Sequence, residues 1–329
     1  MKALIRSIGA YIPKNKMTND AISKIVDTSD EWIVSHTGIK NRYFAADDQA
    51  NSDLAIEAAK QAIERAKISP EDLELIIVAT ATGDYKGFPS VACILQEKLG
   101  ALNAGAFDLA AACTGFVYAL EVAKNFIESG HFQNILVVAS EKMSSIMNWE
   151  DRNTCVLFGD GAAAAVVSRA QEADDDSAII YSFLRSDGSG ADALSIPAGG
   201  SRNPIDLERT KKEDLYVYMD GRRVYNFAVK AFTDIIKHIC DKCGISLDEV
   251  DYIVPHQANI RIIEAAAKRL KQPMEKFYIN IDEYANTSAA TIPIALNEMQ
   301  EKGMLKKGNL VLTAGFGGGL TYGGNLIRW

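Results

Sequence analysis

Cys113, His256 and Asn286 share a setting: each stands at a point where an apolar run gives way to a helical pattern. In Phe107-Asp108-Leu109-Ala110-Ala111-Ala112-Cys113-Thr114-Gly115 the thiol is carried on a tight strand-to-helix turn. There it faces the unpaired N–H groups of the helix start, which favour the thiolate, the nucleophilic form. A small, buried, inert residue is the competing reading of an isolated cysteine. His256, in Val254-Pro255-His256-Gln257-Ala258-Asn259, falls at the carboxyl end of a strand, where open α/β sheets hold their chemistry. Asn286, in Tyr284-Ala285-Asn286-Thr287-Ser288, begins a helix, a place that also suits a simple N-cap. Taken together the three make a nucleophile with two hydrogen-bond donors. The run Ala314-Gly315-Phe316-Gly317-Gly318-Gly319 lacks the Gly-Lys-Ser/Thr of a phosphate loop and the long helix of a dinucleotide fingerprint. Backbone so free of side chains can bring an N–H against a substrate, as an oxyanion hole requires.

Such groups need elements to position them, and the hydrophobic pattern supplies alternating helices and strands. Residues 51–66 read as an amphipathic helix, 73–80 as a buried strand, 89–100 as a helix and 104–108 as a short strand. A helix follows Cys113 as far as Ser129, and 134–140 is another strand. The second half runs in the same order: helix 224–242, strand 250–254, helix 258–270, strand 277–281, a helix from Asn286, and strand 309–314. The turn Ile68-Ser69-Pro70-Glu71-Asp72 returns as Ile245-Ser246-Leu247-Asp248-Glu249, ~177 residues on. A period this long excludes a solenoid and predicts two similar α/β halves about a pseudo-twofold axis. The halves are 1–170, with the cysteine, and 221–329, with the histidine and asparagine, joined by a connecting region 171–220. Asn286 follows Cys113 by ~173 residues, so the two read as counterparts.

The chain has 329 residues, 48% hydrophobic and 24% charged, enough to bury the core of such a pair. Its net charge of −8 argues against general nucleic-acid or anionic-membrane binding. With no apolar run long enough to span a bilayer and no secretion-signal pattern, a soluble cytoplasmic protein is expected. The cysteines, Cys93, Cys113, Cys155, Cys240 and Cys243, are too sparse for a disulfide framework. Cys240-Asp241-Lys242-Cys243 has no further ligands at zinc spacing and falls at a helix end, whereas a thioredoxin-like pair would open one. No metal site is expected.

Six stretches, in order, carry a family resemblance: Thr28-Ser29-Asp30-Glu31-Trp32-Ile33-Val34, Asp108-Leu109-Ala110-Ala111-Ala112-Cys113, Leu157-Phe158-Gly159-Asp160-Gly161-Ala162, Val254-Pro255-His256-Gln257-Ala258-Asn259, Asn286-Thr287-Ser288-Ala289-Ala290 and Phe316-Gly317-Gly318-Gly319. With them the chain resembles the β-ketoacyl-acyl-carrier-protein synthase III family, the initiating condensing enzymes of bacterial fatty-acid synthesis. The resemblance implies an α/β thiolase fold whose two pseudo-twofold halves form α-β-α-β-α layers. It implies that Cys113 takes an acyl group from acyl-CoA, the oxyanion being held by the backbone N–H groups of Cys113 and Gly318. His256 and Asn286 then hold the thioester carbonyl of malonyl-acyl-carrier-protein through decarboxylation and condensation to a 3-oxoacyl product. Asparagine at 286, rather than a second histidine or a cysteine, points to the initiating class. No cofactor is implied, acyl-CoA being a substrate.

The same resemblance implies that Trp32 and Arg152 sandwich the adenine of CoA and that Asn259 links His256 to the pantetheine tunnel. Phe88 would cross a twofold interface to cap a partner's acyl pocket, so a homodimer is expected. Arg261, Lys268 and Arg269 offer a basic patch to an acidic carrier protein. Two positions depart from the pattern. His36 stands where arginine is frequent, and Asn226 where a carrier-binding lysine is common, with Arg222 or Arg223 as substitutes. The competing readings are a same-fold condensing enzyme of polyketide metabolism, a papain-type Cys-His-Asn hydrolase and a catalytically inert binding module. The hydrolase leaves the repeated halves unexplained, and the inert module leaves the three side chains without a purpose.

Overall fold

The computed structural model describes residues 1–174 and 176–329, so the loop expected at 171–176 lies partly outside the described residues, at Asp175. Two sheets form the frame. The first holds Ala3–Tyr11, Gly161–Arg169, Asn134–Glu141, Leu75–Ala79 and Gly105–Leu109, in that spatial order. The last three strands are mutually parallel; Gly161–Arg169 joins them antiparallel, and Ala3–Tyr11 pairs antiparallel with it in turn. The second sheet holds Ala178–Ser186, Thr321–Arg328, Leu310–Gly317 and Tyr252–Pro255, and Phe277 bridges in parallel to Ile253 where a fifth strand would lie. Strand for strand the second order reproduces the first, which is the relation that the repeat predicts.

The repeat extends to details. Helix Asn51–Ala66 and helix Gly221–Cys243 each end on a left-handed residue, Lys67 and Gly244. Each is followed by a short 3₁₀ turn fixed by a capping box, Ser69 with Asp72 and Ser246 with Glu249. Two further 3₁₀ turns, Ala112–Thr114 and Ser288–Ala290, lead into the helices Gly115–Glu128 and Thr291–Glu301. The counterpart of Cys113 is therefore Ala289, and Asn286 lies upstream of it rather than opposite the cysteine.

Two expected elements differ. The segment read as a connection, 171–220, contributes Ala178–Ser186 to the edge of the second sheet. The strand expected at 277–281 shortens to the Phe277 bridge and the bond from Tyr278 N–H to the Ile253 carbonyl. A 3₁₀ turn, Met274–Lys276, precedes it, and Asn280 N–H donates to the Gln257 side chain, so the backbone leaves the ladder there.

Helices Asn51–Ala66 and Val91–Leu99 cover the outer face of the first sheet, and Gly221–Cys243 and Ile260–Leu270 the outer face of the second. Gly115–Glu128 and Thr291–Glu301 fill the space between the sheets, completing the α-β-α-β-α layers. A helix enclosed by two sheets must be apolar on most of its surface. Accordingly Phe116, Val117, Ala119, Leu120, Ala123 and Ile127 are all buried. Gly115 allows the cysteine-bearing turn to press on the end of a strand, because a Cβ there would sit 2.7 Å from the Ala79 Cβ.

Candidate active site

Ala112 and Ser288 both adopt left-handed backbone conformations, φ +44° and +51°. For residues with a Cβ this costs about 1–2 kcal/mol each. The sharp turn sets Cys113 at the head of helix Gly115–Glu128, where it is buried at 8% exposure. The glycine-rich turn lies directly on it: a Cβ on Gly317 would come within 2.8 Å of the Cys113 Cβ and 2.9 Å of its nitrogen. Gly318 lies instead over Ala112 and Leu194. Burial pushes the Cys113 thiol up to about 12, and the Ser288 side chain only partly offsets this. Desolvation thus outweighs the helix start, and the resting group is the thiol rather than the thiolate that its position predicts.

His256 follows strand Tyr252–Pro255 and is anchored by its N–H donating to the Ala314 carbonyl at 2.8 Å. It is 1% exposed, and burial pushes the imidazole down to about 3, so the ring is neutral at pH 7. Its Nδ1 pairs with the Thr291 hydroxyl at 2.7 Å. The Thr291 hydroxyl has one hydrogen and two acceptors in reach, Nδ1 at 2.7 Å and the Ser288 carbonyl at 3.1 Å; when the hydrogen goes to Nδ1, the neutral ring carries its own on Nε2.

Asn286 is held through its backbone, its N–H donating to the Leu157 carbonyl and its own carbonyl accepting from Gly159 N–H. Its side-chain Oδ1 accepts from Ser288 N–H at 2.8 Å. That bond fixes the amide orientation and leaves the NH₂ end as a donor. Asn286 is therefore not the N-cap of helix Thr291–Glu301, a place taken by Ala290 without a side-chain bond; one end of its amide closes the turn before that helix and the other is the donor.

Cys113, His256, Asn286 and Gly317 line one cavity of about 120 Å³, walled by Leu157, Phe158, Leu194, Ile262 and Phe316. It combines a thiol, a neutral imidazole and an amide, with no carboxylate among its lining residues. Models of 3-oxoacyl-[acyl-carrier-protein] synthase III match residues 107–188, and of its C-terminal part residues 240–329. A β-ketoacyl-[acyl-carrier-protein] synthase III from Caldanaerobacter subterraneus subsp. tengcongensis is 50% identical over 99% of this chain and 97% of its own length. The chain belongs to the β-ketoacyl-acyl-carrier-protein synthase III family. A relative of the same name from Clostridium acetobutylicum is 50% identical over 98% of this chain and 97% of its own. The crystal structure of the Aquifex aeolicus VF5 3-oxoacyl-[acyl-carrier-protein] synthase III superposes with a TM-score of 0.91 at 44% identity, covering 99% of this chain and 100% of that one. The fold is the thiolase fold of these enzymes.

The residues that the family resemblance singles out fall at different distances from this cavity. Asn259 lines it, caps helix Ile260–Leu270 through Oδ1, and donates from Nδ2 to the His36 carbonyl. The Arg152 guanidinium lies 5.1 Å over the Trp32 ring, and the His36 ring stacks on Trp32 at 4.4 Å. Arg261 is exposed at the near end of its helix, its Nε donating to the Ser35 carbonyl. Lys268 and Arg269 are exposed in the last turn of that helix, about 10 Å further along the axis. Phe88 is 87% exposed and is not among the residues that line the cavity. At the departing positions, Asn226 is exposed, and Arg223 is engaged by a two-pronged pair with Asp192. Among the described residues no group of three or more His, Cys, Asp or Glu is arranged to hold a metal, and no helix is long and apolar enough to cross a membrane.

Sequence reasoning missed Thr291, Ser288 and Glu141. Glu141 is wholly buried and ends the strand Asn134–Glu141 at the same edge as the cavity. A carboxylate closing an apolar parallel strand was a readable signal. Thr291 was not, because only the packed fold brings it against His256.

Proposed function

We propose that the chain is the acyltransferase that opens fatty-acid synthesis, joining an acyl group carried on Cys113 to malonyl-acyl-carrier-protein. The observation that carries this reading is the pairing of a neutral imidazole with an amide NH₂ beside a thiol in one largely apolar cavity. Sγ of Cys113 attacks the thioester carbonyl of acyl-CoA, and backbone N–H groups of Cys113 and Gly318 receive the oxyanion. CoA leaves, and the malonyl thioester takes its place. As carbon dioxide departs, negative charge develops on the thioester oxygen. Nε2–H of His256 and Nδ2–H of Asn286 stabilise that charge, each by about 2.7–4 kcal/mol. The resulting carbanion attacks the acyl-Cys113 carbonyl and releases the 3-oxoacyl product. A decarboxylation needs stabilised charge more than a base, which accounts for the absence of a carboxylate from the lining.

Around this centre, the Trp32–Arg152 pair is proposed to open and take the adenine of CoA between ring and guanidinium. Arg261, beside Ser35, is proposed as the first contact for the carrier protein, with Lys268 and Arg269 outlying. The exposed Phe88 and the unpaired edge of strand Gly105–Leu109 suit a homodimer. A division into two halves, the first over 1–170 and the second over 221–329 together with strand Ala178–Ser186, a cytoplasmic setting, and independence of cofactors, nucleic acid and membranes belong to the same proposal. Incubation with acetyl-CoA and malonyl-acyl-carrier-protein, with and without Cys113→Ala, tests it. Acetoacetyl-carrier formation by the wild type and its loss in the variant are expected; condensation by the variant would refute the assignment.

A further inference from the structure

Glu141 is 0% exposed, and burial holds its carboxyl above the usual range. No cation faces it among the described residues. Its Oε2 accepts from the Thr82 hydroxyl at 2.6 Å, the Ala81 N–H at 3.1 Å and the Thr80 hydroxyl at 3.2 Å. Its Oε1 accepts from the Ser288 hydroxyl at 2.9 Å. A neutral amide could cap the same hydroxyls without the penalty of an enclosed ionisable group, so this placement asks for a reason beyond structure. Ser288 supplies one. Its hydroxyl donates to the carboxylate, and the same side chain lowers the proton affinity of the Cys113 thiol, whose 3₁₀ turn is the counterpart of its own. A hydroxyl that donates to a carboxylate keeps lone pairs to accept from a thiol. The three groups come from both halves, joined only by the fold.

We propose that Ser288 and Glu141 form a proton relay that removes the Cys113 proton for acylation and returns it at condensation. This rests on the reading of Cys113 as the acyl carrier. In the first step the S–H proton passes to Ser288 Oγ as Ser288 passes its own to Glu141 Oε1. The freed electron pair on Sγ forms the bond to the acyl carbon, and the bond from that carbon to the CoA sulfur breaks. CoA leaves as a thiolate and takes its proton from solvent. Glu141 stays protonated, uncharged and buried while the acyl group is in place. In condensation the malonyl carbon bonds to the acyl carbon as carbon dioxide leaves. The C–S bond to Cys113 then breaks, and the departing sulfur recovers the proton from Glu141 through Ser288. The cycle closes with the thiol and the carboxylate restored.

The surroundings leave this pair to itself. Lys142, next along the chain, turns its ammonium to the Ala46 and Gln49 carbonyls. Asp160 is held by Ser144 and the Ala45 N–H. Cys113 is the titratable group whose charge Glu141 opposes directly.

The test is single-turnover acetylation of Cys113 by acetyl-CoA, followed by intact-protein mass spectrometry between pH 6 and 9, in wild type, Glu141→Gln and Ser288→Ala. Alanine suits the left-handed turn, because Ala112 occupies its counterpart. Acylation at pH 7 should fall by about 10² or more in either variant. It should then climb about tenfold per pH unit, since the proton must leave to solvent, whereas the wild type, whose thiol proton goes to Glu141, climbs less steeply. The double variant should be no slower than the slower single one. Acylation of either variant at roughly the wild-type rate, or a fall without the new pH slope, overturns the relay. If Glu141→Gln does not fold, Ser288→Ala alone decides. A wild type that is never acetylated on Cys113 overturns instead the function on which the relay rests.

Discussion

Asn286→Asp separates the two ends of the amide. The Oδ1 that accepts from Ser288 N–H at 2.8 Å is retained, so the turn that precedes helix Thr291–Glu301 keeps its side-chain bond. The NH₂ end, the proposed donor to the malonyl thioester oxygen, becomes an oxygen. Loss of one such donor costs about 2.7–4 kcal/mol of transition-state stabilisation, or roughly 10²–10³ in rate. Asn286→Ala removes the donor and the turn bond together and loses about a further 1 kcal/mol of folding stability. Carbon dioxide release from malonyl-acyl-carrier-protein by enzyme already acylated on Cys113 measures the chemical loss; mass spectrometry of acylation and thermal unfolding measure the rest. Decarboxylation should fall by the stated factor in both variants, acylation should stay within severalfold of wild type, and only the alanine variant should melt earlier. Burial raises the affinity of the introduced carboxyl for protons. Once protonated it donates again, so the aspartate variant should recover part of its activity as pH falls. Decarboxylation within about tenfold of wild type, or acylation lost in step with it, would refute the division of roles.

Thr291→Val keeps the side-chain shape but leaves His256 Nδ1 without its 2.7 Å partner; condensation should slow by about tenfold with acylation unchanged, and the histidine tautomer should shift in ¹⁵N NMR. His256 stays neutral in the fold down to about 3, whereas the unfolded ring titrates near 6.5. The unfolded state therefore binds the extra proton, and lowering the pH from 7 to 5 should cost about 2 kcal/mol through this group. Urea unfolding of His256→Gln should lack that component; an unchanged slope contradicts the assignment. Gly317→Ala drives a Cβ to within 2.8 Å of the Cys113 Cβ, and should cost about 1–3 kcal/mol and slow acylation at least tenfold. Acylation at the wild-type rate by a stably folded variant would remove the glycine turn from the site. Trp32→Ala should raise KM for acyl-CoA by about two- to fivefold and leave kcat alone, as steady-state kinetics can establish.

The repeated halves are legible because the same local chemistry recurs in both. Ser69 with Asp72 and Ser246 with Glu249 are short-range capping boxes, visible before any folding is considered. Cys113, His256 and Asn286 are legible because each sits where a strand or turn meets a helix. Groups that act through tertiary contact are not. Glu141 meets Ser288 across 147 positions of sequence, and His256 meets Thr291 across 35, so no local pattern marks either pair. The state of the thiol was also misread. The helix start is local and predicts a thiolate, while the burial that outweighs it depends on packing between two sheets. The pairing of Cys113 with Asn286 failed for a related reason. Their spacing is close to the true period, but the left-handed residues Ala112 and Ser288 mark the register, and φ is not written in the sequence.

The central claim is that Cys113 carries the acyl group that the malonyl unit attacks. Its most direct test is a chase: acetylate the protein with acetyl-CoA, remove the excess, confirm the site by peptide mapping, then add malonyl-acyl-carrier-protein and follow intact mass. The acetyl mass should sit on Cys113, persist in buffer, and vanish on addition of the malonyl carrier as acetoacetyl-carrier appears in equal amount. An acetyl group found on another residue, or one released as acetate without the condensed product, would contradict the account.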